Sequence, residues 1–203
     1  MKKSVILVAV VALLALVGCQ TKPVKTIDNL KAAITGETTA SAKYKAFAEQ
    51  AKTEGLDTIA KLFEAASKAE AIHAANHTKV LEELGVKMDS IKPEFEVKTT
   101  AENLQAAIDG ETYEFTTMYP DFIKIATEEK ADKAVKSFNW ANDTEKKHKE
   151  YYAKALEAIN AGTEVNMPVE YFVCPVCGNT YDKATLEPNC AFCQTASEKF
   201  IAI

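Results

Sequence analysis

A four-helix bundle followed by a small four-cysteine metal domain is the fold this sequence predicts, and four observations carry it. A nine-residue phrase, NLKAAITGE at 29–37, returns as NLQAAIDGE at 103–111. Apolar residues recur at helical spacing from about residue 26 to residue 160. Alanine and lysine are abundant there, while the whole chain of 203 residues has only 7 glycines and 6 prolines. Finally, Cys174, Cys177, Cys190 and Cys193 crowd together near the end of a chain that has 5 cysteines in all.

The first 18 residues stand apart from the fold. Lys2 and Lys3 precede an apolar run at 5–17, which is short of the ~20 residues a membrane-spanning helix needs. The run ends in LVGC at 16–19, which resembles the lipobox of bacterial lipoproteins. That resemblance implies cleavage before Cys19, lipidation of its sulfur, and an extracytoplasmic protein anchored to a bacterial membrane through the tether 19–25. An uncleaved anchor or a plain secretory signal is the alternative. The net charge is −5, arginine is absent, and removing Lys2 and Lys3 makes the chain more acidic still. A nucleic-acid partner is therefore not expected.

Four helices follow from the breaks in the pattern. The first covers 26–52 and stops near Gly55; the second covers 56–84, with Gly85 placed as a C-terminal cap. A long connection leads to a third helix over 101–128 and a fourth over 132–160, ending at Gly162. Two short connections flanking a long one predict two antiparallel hairpins joined by a crossover. The repeated phrase opens the first and third helices, so the repeat unit is a helical hairpin and the bundle, residues 26–165, has a pseudo-twofold axis. Pro120 falls inside the third helix, where it removes a backbone bond and predicts a kink.

The repeat also organises the charged residues. Glu37 and Glu111 end the two phrases; Glu70 and His73 in the second helix answer Glu145 and His148 in the fourth. Residues i and i+3 share a helix face, so each Glu-x-x-His aims a carboxylate and an imidazole at one point. Two such motifs plus a glutamate from each remaining helix form the dinuclear constellation of ferritin-like di-iron bundles. Glu114, one turn beyond Glu111, adds a fifth carboxylate. Burying one ion costs several kcal/mol unless it is compensated, so five inward carboxylates require cations, and oxygen-rich ligation with two imidazoles suits iron or manganese. A solvated helix face is the bland alternative for any one motif. His77 has no histidine counterpart in the other half and reads as an outer-shell or exposed residue. Tyr44 and Tyr119, about two turns past Glu37 and Glu111, either donate hydrogen bonds to ligand carboxylates from a second shell or simply fill core.

Residues 166–203 lose the helical period and are too few to build a core without a metal or disulfides. Cys174-Pro-Val-Cys177 and Cys190-Ala-Phe-Cys193 have the spacing of two knuckles that close a tetrahedral thiolate site. Iron would make it a one-electron centre and zinc a structural ribbon; two disulfides are the remaining choice. Where the first knuckle has Pro175 and Gly178, the second has Ala191 and Gln194, which leaves the hydrogen bonding of that loop open.

Together these motifs resemble the rubrerythrin family: a ferritin-like di-iron bundle followed by a rubredoxin-like four-cysteine domain, here over residues 26–203. The resemblance implies a di-iron site held by Glu37, Glu70, His73, Glu111, Glu114, Glu145 and His148, with one iron shifting between Glu114 and His73 as its redox state changes. Ala40 stands where a partner of Glu114 would be. It further implies a peroxidase reducing hydrogen peroxide to water in oxidative stress defence, re-reduced through the four-cysteine iron by an electron donor that the sequence does not name. Family members are typically homodimers in which one subunit's rubredoxin-like domain lies beside the other's di-iron site. Two rival functions share these motifs: a ferroxidase or iron-handling protein, and a non-enzymatic lipoprotein with a zinc ribbon.

Overall fold

The computed structural model describes residues 22–203; the apolar leader, Cys19 and the start of the tether lie outside them. The helices are α1 (Val24–Thr53), α2 (Asp57–Glu83), α3 (Thr100–Tyr113), α4 (Tyr119–Glu128) and α5 (Asp132–Ala161). A π-helical turn, Glu114–Met118, joins α3 to α4, so the two together form the third helix of a four-helix bundle. Among the described residues no helix is long and apolar enough to cross a membrane.

The hairpin repeat is written into the turns. Gly55 ends the first hairpin turn at φ 76° and Lys130, 75 positions later, adopts φ 57° in the second. Each turn also supplies an N-terminal cap to the other hairpin. The Glu54 carboxylate accepts from the Thr100 amide at the start of α3 (3.1 Å), and the Glu129 carboxylate accepts from Thr26 and Lys25 at the start of α1 (2.8 and 3.2 Å). A helix N-terminus exposes unpaired amides and partial positive charge, so a carboxylate from the opposite hairpin locks the two halves together. Thr99 and Glu102 add a capping box to α3.

The break in the third helix is a widened turn, and its cause is visible in the repeat. From Glu37 to Tyr44 is seven residues; from Glu111 to Tyr119 is eight. One extra residue in an α-helix rotates everything beyond it by about 100° unless a turn opens to i→i+5 bonding. The π turn absorbs the insertion and returns Tyr119 to the face that Tyr44 occupies in α1. Pro120 then falls in the first turn of α4, where a missing N–H is tolerated.

All four helices run between two apolar clusters. One gathers Tyr44, Phe47, Leu62, Phe63, Leu104 and Tyr152; the other gathers Ile27, Leu30, Leu81, Tyr119 and Phe138. In α1 the chain passes from Ile34 to Ala40 across Glu37, and in α5 from Ala141 to Tyr151 across Glu145 and His148. The acidic residues therefore form a layer between two dry ends. Buried alanines, among them Ala33, Ala48, Ala65, Ala66 and Ala69, leave room for the helices to approach.

The small domain is a three-stranded antiparallel sheet ordered β2-β1-β3, with β1 at Tyr171–Val173, β2 at Thr180–Asp182 and β3 at Ile201–Ala202. Tyr171 and Val173 pack into the first apolar cluster of the bundle, so the sheet is seated on the helices.

Candidate metal centres

Four glutamates and two histidines meet in the acidic layer, each at most 1% exposed. They form two interlocking sets, Glu37, Glu70, His73 and Glu145 on one side, Glu70, Glu111, Glu145 and His148 on the other, with ligand atoms in each set within 4.8 Å of one another. Glu70 and Glu145 belong to both. His73 Nδ1 lies 2.8 Å from Glu70 Oε2 and 3.0 Å from Glu145 Oε1; His148 Nδ1 lies 3.0 Å from the other Glu70 oxygen and 3.2 Å from the other Glu145 oxygen. Each shared carboxylate thus turns one oxygen to each half, while Glu37 and Glu111 close the outer ends.

This donor set fits a pair of hard or borderline cations. The buried Glu37 Oε2, Glu111 Oε2, His148 Nδ1 and both Glu145 oxygens have no hydrogen-bond partner, although an unpaired buried polar atom costs about 1–3 kcal/mol. Burial, and then repulsion from Glu145 and Glu70, pushes the Glu37 carboxyl far above the ordinary carboxylate range; burial and the neighbouring acids do the same to Glu111 and Glu145. Burial also works on Glu70, yet His148 and His73 hold it down to about 2. Acids raised this way either keep protons or share cations, and the convergence of their free oxygens favours cations.

Glu114 stands apart from the other six candidate ligands. It sits on the π turn, half-buried, and belongs to neither ligand set. Burial and the Glu70 charge push its carboxyl up to about 7, so it faces the acidic layer from its margin. The arrangement is the one in which His73, not Glu114, completes the first set.

Both tyrosines bond to glutamates, each across the bundle. Tyr44 donates to Glu111 Oε1 at 2.6 Å, and Tyr119 donates to Glu37 Oε1. His77 is fully buried, with Nε2 3.2 Å from the Tyr119 hydroxyl and Nδ1 2.7 Å from Ser137 Oγ. Of its two expected positions, exposed is wrong: the apolar cluster around Phe138 and Tyr119 closes over it.

The four cysteines of the small domain also converge, their sulfurs within 4.8 Å of one another. They are free thiols: Cys174 lies 3.4 Å from Cys193 and Cys177 lies 3.4 Å from Cys190, far beyond the ~2.0 Å of a disulfide. A tetrahedron with ~2.3 Å metal–sulfur bonds has edges of about 3.8 Å, so the cluster is close to the size a metal needs. The two knuckles share one turn. Gly178 N donates to Cys174 O (3.0 Å), and Gln194 N donates to Cys190 O (2.9 Å) with Gln194 itself at φ 63°. The departure at Gln194 therefore leaves the turn intact.

Glycine is required in the first knuckle for another reason. Gly178, at φ 82°, lies against the candidate ligand histidine of α2: a Cβ there would sit 2.4 Å from His73 Nε2. Nearby, Thr180 Oγ lies 2.9 Å from His148 Nε2 and donates onward to Gly178 O, and Asn76 Nδ2 donates to Val176 O at 2.9 Å. The first knuckle is thus the roof of the acidic layer, touching both histidines on the face away from the carboxylates. Thr180 takes the Nε2–H of His148 and leaves Nδ1 as a lone pair for a metal. Sequence reasoning missed Thr180 and Asn76 and saw Gly178 only as part of the knuckle, because nothing in their spacing says which helix face the knuckle meets.

A rubrerythrin family model matches residues 28–156. The chain belongs to the rubrerythrin family. It is 37% identical over 185 residues to nigerythrin of Nitratidesulfovibrio vulgaris, covering 87% of this chain and 86% of that protein. It is 33% identical to rubrerythrin-2 of Clostridium acetobutylicum, covering 89% of this chain and 98% of the other. A solved structure of nigerythrin in a mixed-valent state superposes with a TM-score of 0.79 over 88% of this chain and 86% of that one. An open-pore ferritin from Archaeoglobus fulgidus, 16% identical with a TM-score of 0.58 over 68% of this chain and 85% of that chain, shares the bundle fold. The rubrerythrin match covers the repeated hairpins, while the nigerythrin match extends over most of the chain.

Proposed function

We propose that this rubrerythrin-family chain is a peroxidase, reducing hydrogen peroxide to water at a pair of irons in the acidic layer and refilled with electrons through an iron held by Cys174, Cys177, Cys190 and Cys193. One observation carries the reading: Glu70 and Glu145 offer an oxygen to each of two histidine sets directly beneath the four-cysteine knuckle. Two ferrous ions bound there would supply together the two electrons that peroxide consumes. The chain's own part is to orient and to insulate. Glu70 and Glu145 hold the two halves in register, Tyr44 and Tyr119 fix the outer carboxylates Glu111 and Glu37, and Thr180 fixes His148. The apolar clusters on either side keep water from the layer. An iron held by the four cysteines would supply electrons from directly above His73, since Gly178 of the first knuckle lies against that imidazole.

The lipobox at 16–19 supports placing the protein outside the cytoplasmic membrane, held by a lipid on Cys19, so an extracytoplasmic or membrane donor must supply the electrons. The homodimer of the family is part of the proposal: two copies exchanging knuckles would remake the same contacts to Asn76, His73 and His148. Glu145→Ala tests the chemistry. It removes a carboxylate common to both sets, so peroxide turnover should vanish while the visible absorption of the tetrathiolate iron persists. Undiminished turnover in that variant would remove the dinuclear mechanism.

A further inference from the structure

The repeat is broken at one position that the proposed chemistry has not used. Seventy-five residues after Tyr44 comes Tyr119, and seventy-five after His77 comes Tyr152. The two halves therefore carry different second members, Tyr119 with His77 on one side and Tyr44 with Tyr152 on the other. Tyr152 packs against Tyr44, ring centroids 5.5 Å apart, and its hydroxyl has no onward partner. His77 does have one, Ser137, and Ser137 lies in the wall of a surface cleft of about 290 Å³ lined also by Asn76, Lys79, Lys133, Lys136 and Trp140.

Donor directions along this side are fixed by elimination. The Tyr119 hydroxyl gives its proton to the Glu37 carboxylate, so its oxygen must accept from His77 Nε2–H. A neutral imidazole with its proton on Nε2 has a lone pair on Nδ1, which accepts from the Ser137 hydroxyl. Burial, and then the nearby His73, hold His77 down to about 3, so the ring is neutral near neutral pH. Phe138 stacks close to both His77 and Tyr119, with centroids 5.2 and 6.0 Å away, and shields the path from water. Each donor along this line thus points inward, from the cleft to a residue of the acidic layer.

We propose that Ser137, His77 and Tyr119 are a proton relay that carries protons from the surface cleft to Glu37, on one half of the dinuclear site only. The inference rests on the peroxidase reading. Each turnover, H2O2 + 2 e⁻ + 2 H⁺ → 2 H2O, consumes two protons, while the two electrons that cleave the O–O bond would be supplied by a reduced metal pair held in the acidic layer. One concerted shift moves the Tyr119 proton to Glu37, the His77 Nε2 proton to Tyr119 and the Ser137 proton to His77 Nδ1, while cleft water reprotonates Ser137 and Glu37 gives its proton up to an oxygen of the cleaved peroxide. The shift leaves His77 with a proton on Nδ1 and none on Nε2, so the relay delivers one of the two protons of each turnover and is reset when the ring loses the Nδ1 proton to water and takes one from water at Nε2. His77 and Ser137 act through Tyr119 and are positioning residues.

The test couples stopped-flow oxidation of the reduced full chain by peroxide, in H2O and D2O, to ring ¹⁵N NMR of His77 in the full chain loaded with Zn²⁺. Ser137→Ala and His77→Phe should each slow oxidation by tenfold or more, and Ser137→Thr, which keeps the hydroxyl, should stay within about twofold of the wild type. The ring shifts should report protonated Nε2 and bare Nδ1. An Nδ1–H ring or an imidazolium at neutral pH would overturn the relay, as would Ser137→Ala oxidised at the wild-type rate with the wild-type isotope effect. If the wild type itself is not oxidised by peroxide, the peroxidase reading falls separately, and the His77 ring state alone then decides whether the wire is oriented as stated.

Discussion

Gly178→Ala isolates the contact between the two candidate metal centres. Two costs are expected. The residue sits at φ 82°, where a side chain costs about 1–2 kcal/mol. In addition, the new Cβ would stand 2.4 Å from His73 Nε2, 2.7 Å from His73 Cδ2 and 3.2 Å from the Ala69 carbonyl, and forced overpacking adds about 1–3 kcal/mol. Gly55 provides the control: its φ is 76°, yet a Cβ there meets nothing within 4 Å, so Gly55→Ala bears only the backbone cost. Urea denaturation of the two variants should therefore differ by about 1–3 kcal/mol, with Gly178→Ala the weaker. If the knuckle lifts off the bundle instead of straining it, the gap narrows but re-reduction of the dinuclear site through the cysteine iron slows. Equal stability together with unchanged re-reduction would refute the roof-on-histidine arrangement.

Other outcomes follow from the same geometry. His77 has a folded value of about 3 against about 6.5 unfolded, so below pH 6.5 the unfolded chain binds a proton that the fold refuses. Between pH 6.5 and 5 this costs about 2 kcal/mol, and denaturation at pH 7 and 5 should show His77→Phe losing that share of the acid sensitivity. Thr180→Val removes the acceptor for His148 Nε2–H at nearly constant volume, leaving a buried donor unpaired; a loss of about 1–3 kcal/mol in thermal or urea unfolding is expected, along with weaker metal retention in a chelator competition. Reduced protein should be reoxidised far faster by peroxide than by oxygen in stopped flow; the reverse order would favour a ferroxidase.

Much of the site was legible because duplication makes sequence speak about space. Glu37 and Glu111, or Glu70–His73 and Glu145–His148, are individually ordinary helix residues, and only their shared spacing places them on facing helices. The seven-against-eight spacing to Tyr44 and Tyr119 already encoded the π turn, yet the presence of Pro120 drew the expectation toward a proline kink. Burial of His77 was also encoded, weakly, by its alignment with Tyr152. Its bond to Ser137 was not, since the two residues lie 60 positions apart on helices whose relative rotation no local pattern reports.

By itself the sequence determined the helices, their antiparallel pairing, the two candidate metal clusters and the family, because helical period, repeat spacing and paired cysteines are all local or periodic signals. Only the tertiary structure decided that Glu114 stands outside both ligand sets, that each tyrosine serves the glutamate of the opposite repeat, and that the first cysteine knuckle rests on His73 and His148. Those contacts depend on how surfaces of separate elements meet, and that is settled by close packing of the whole chain, which the order of residues along any one element does not contain.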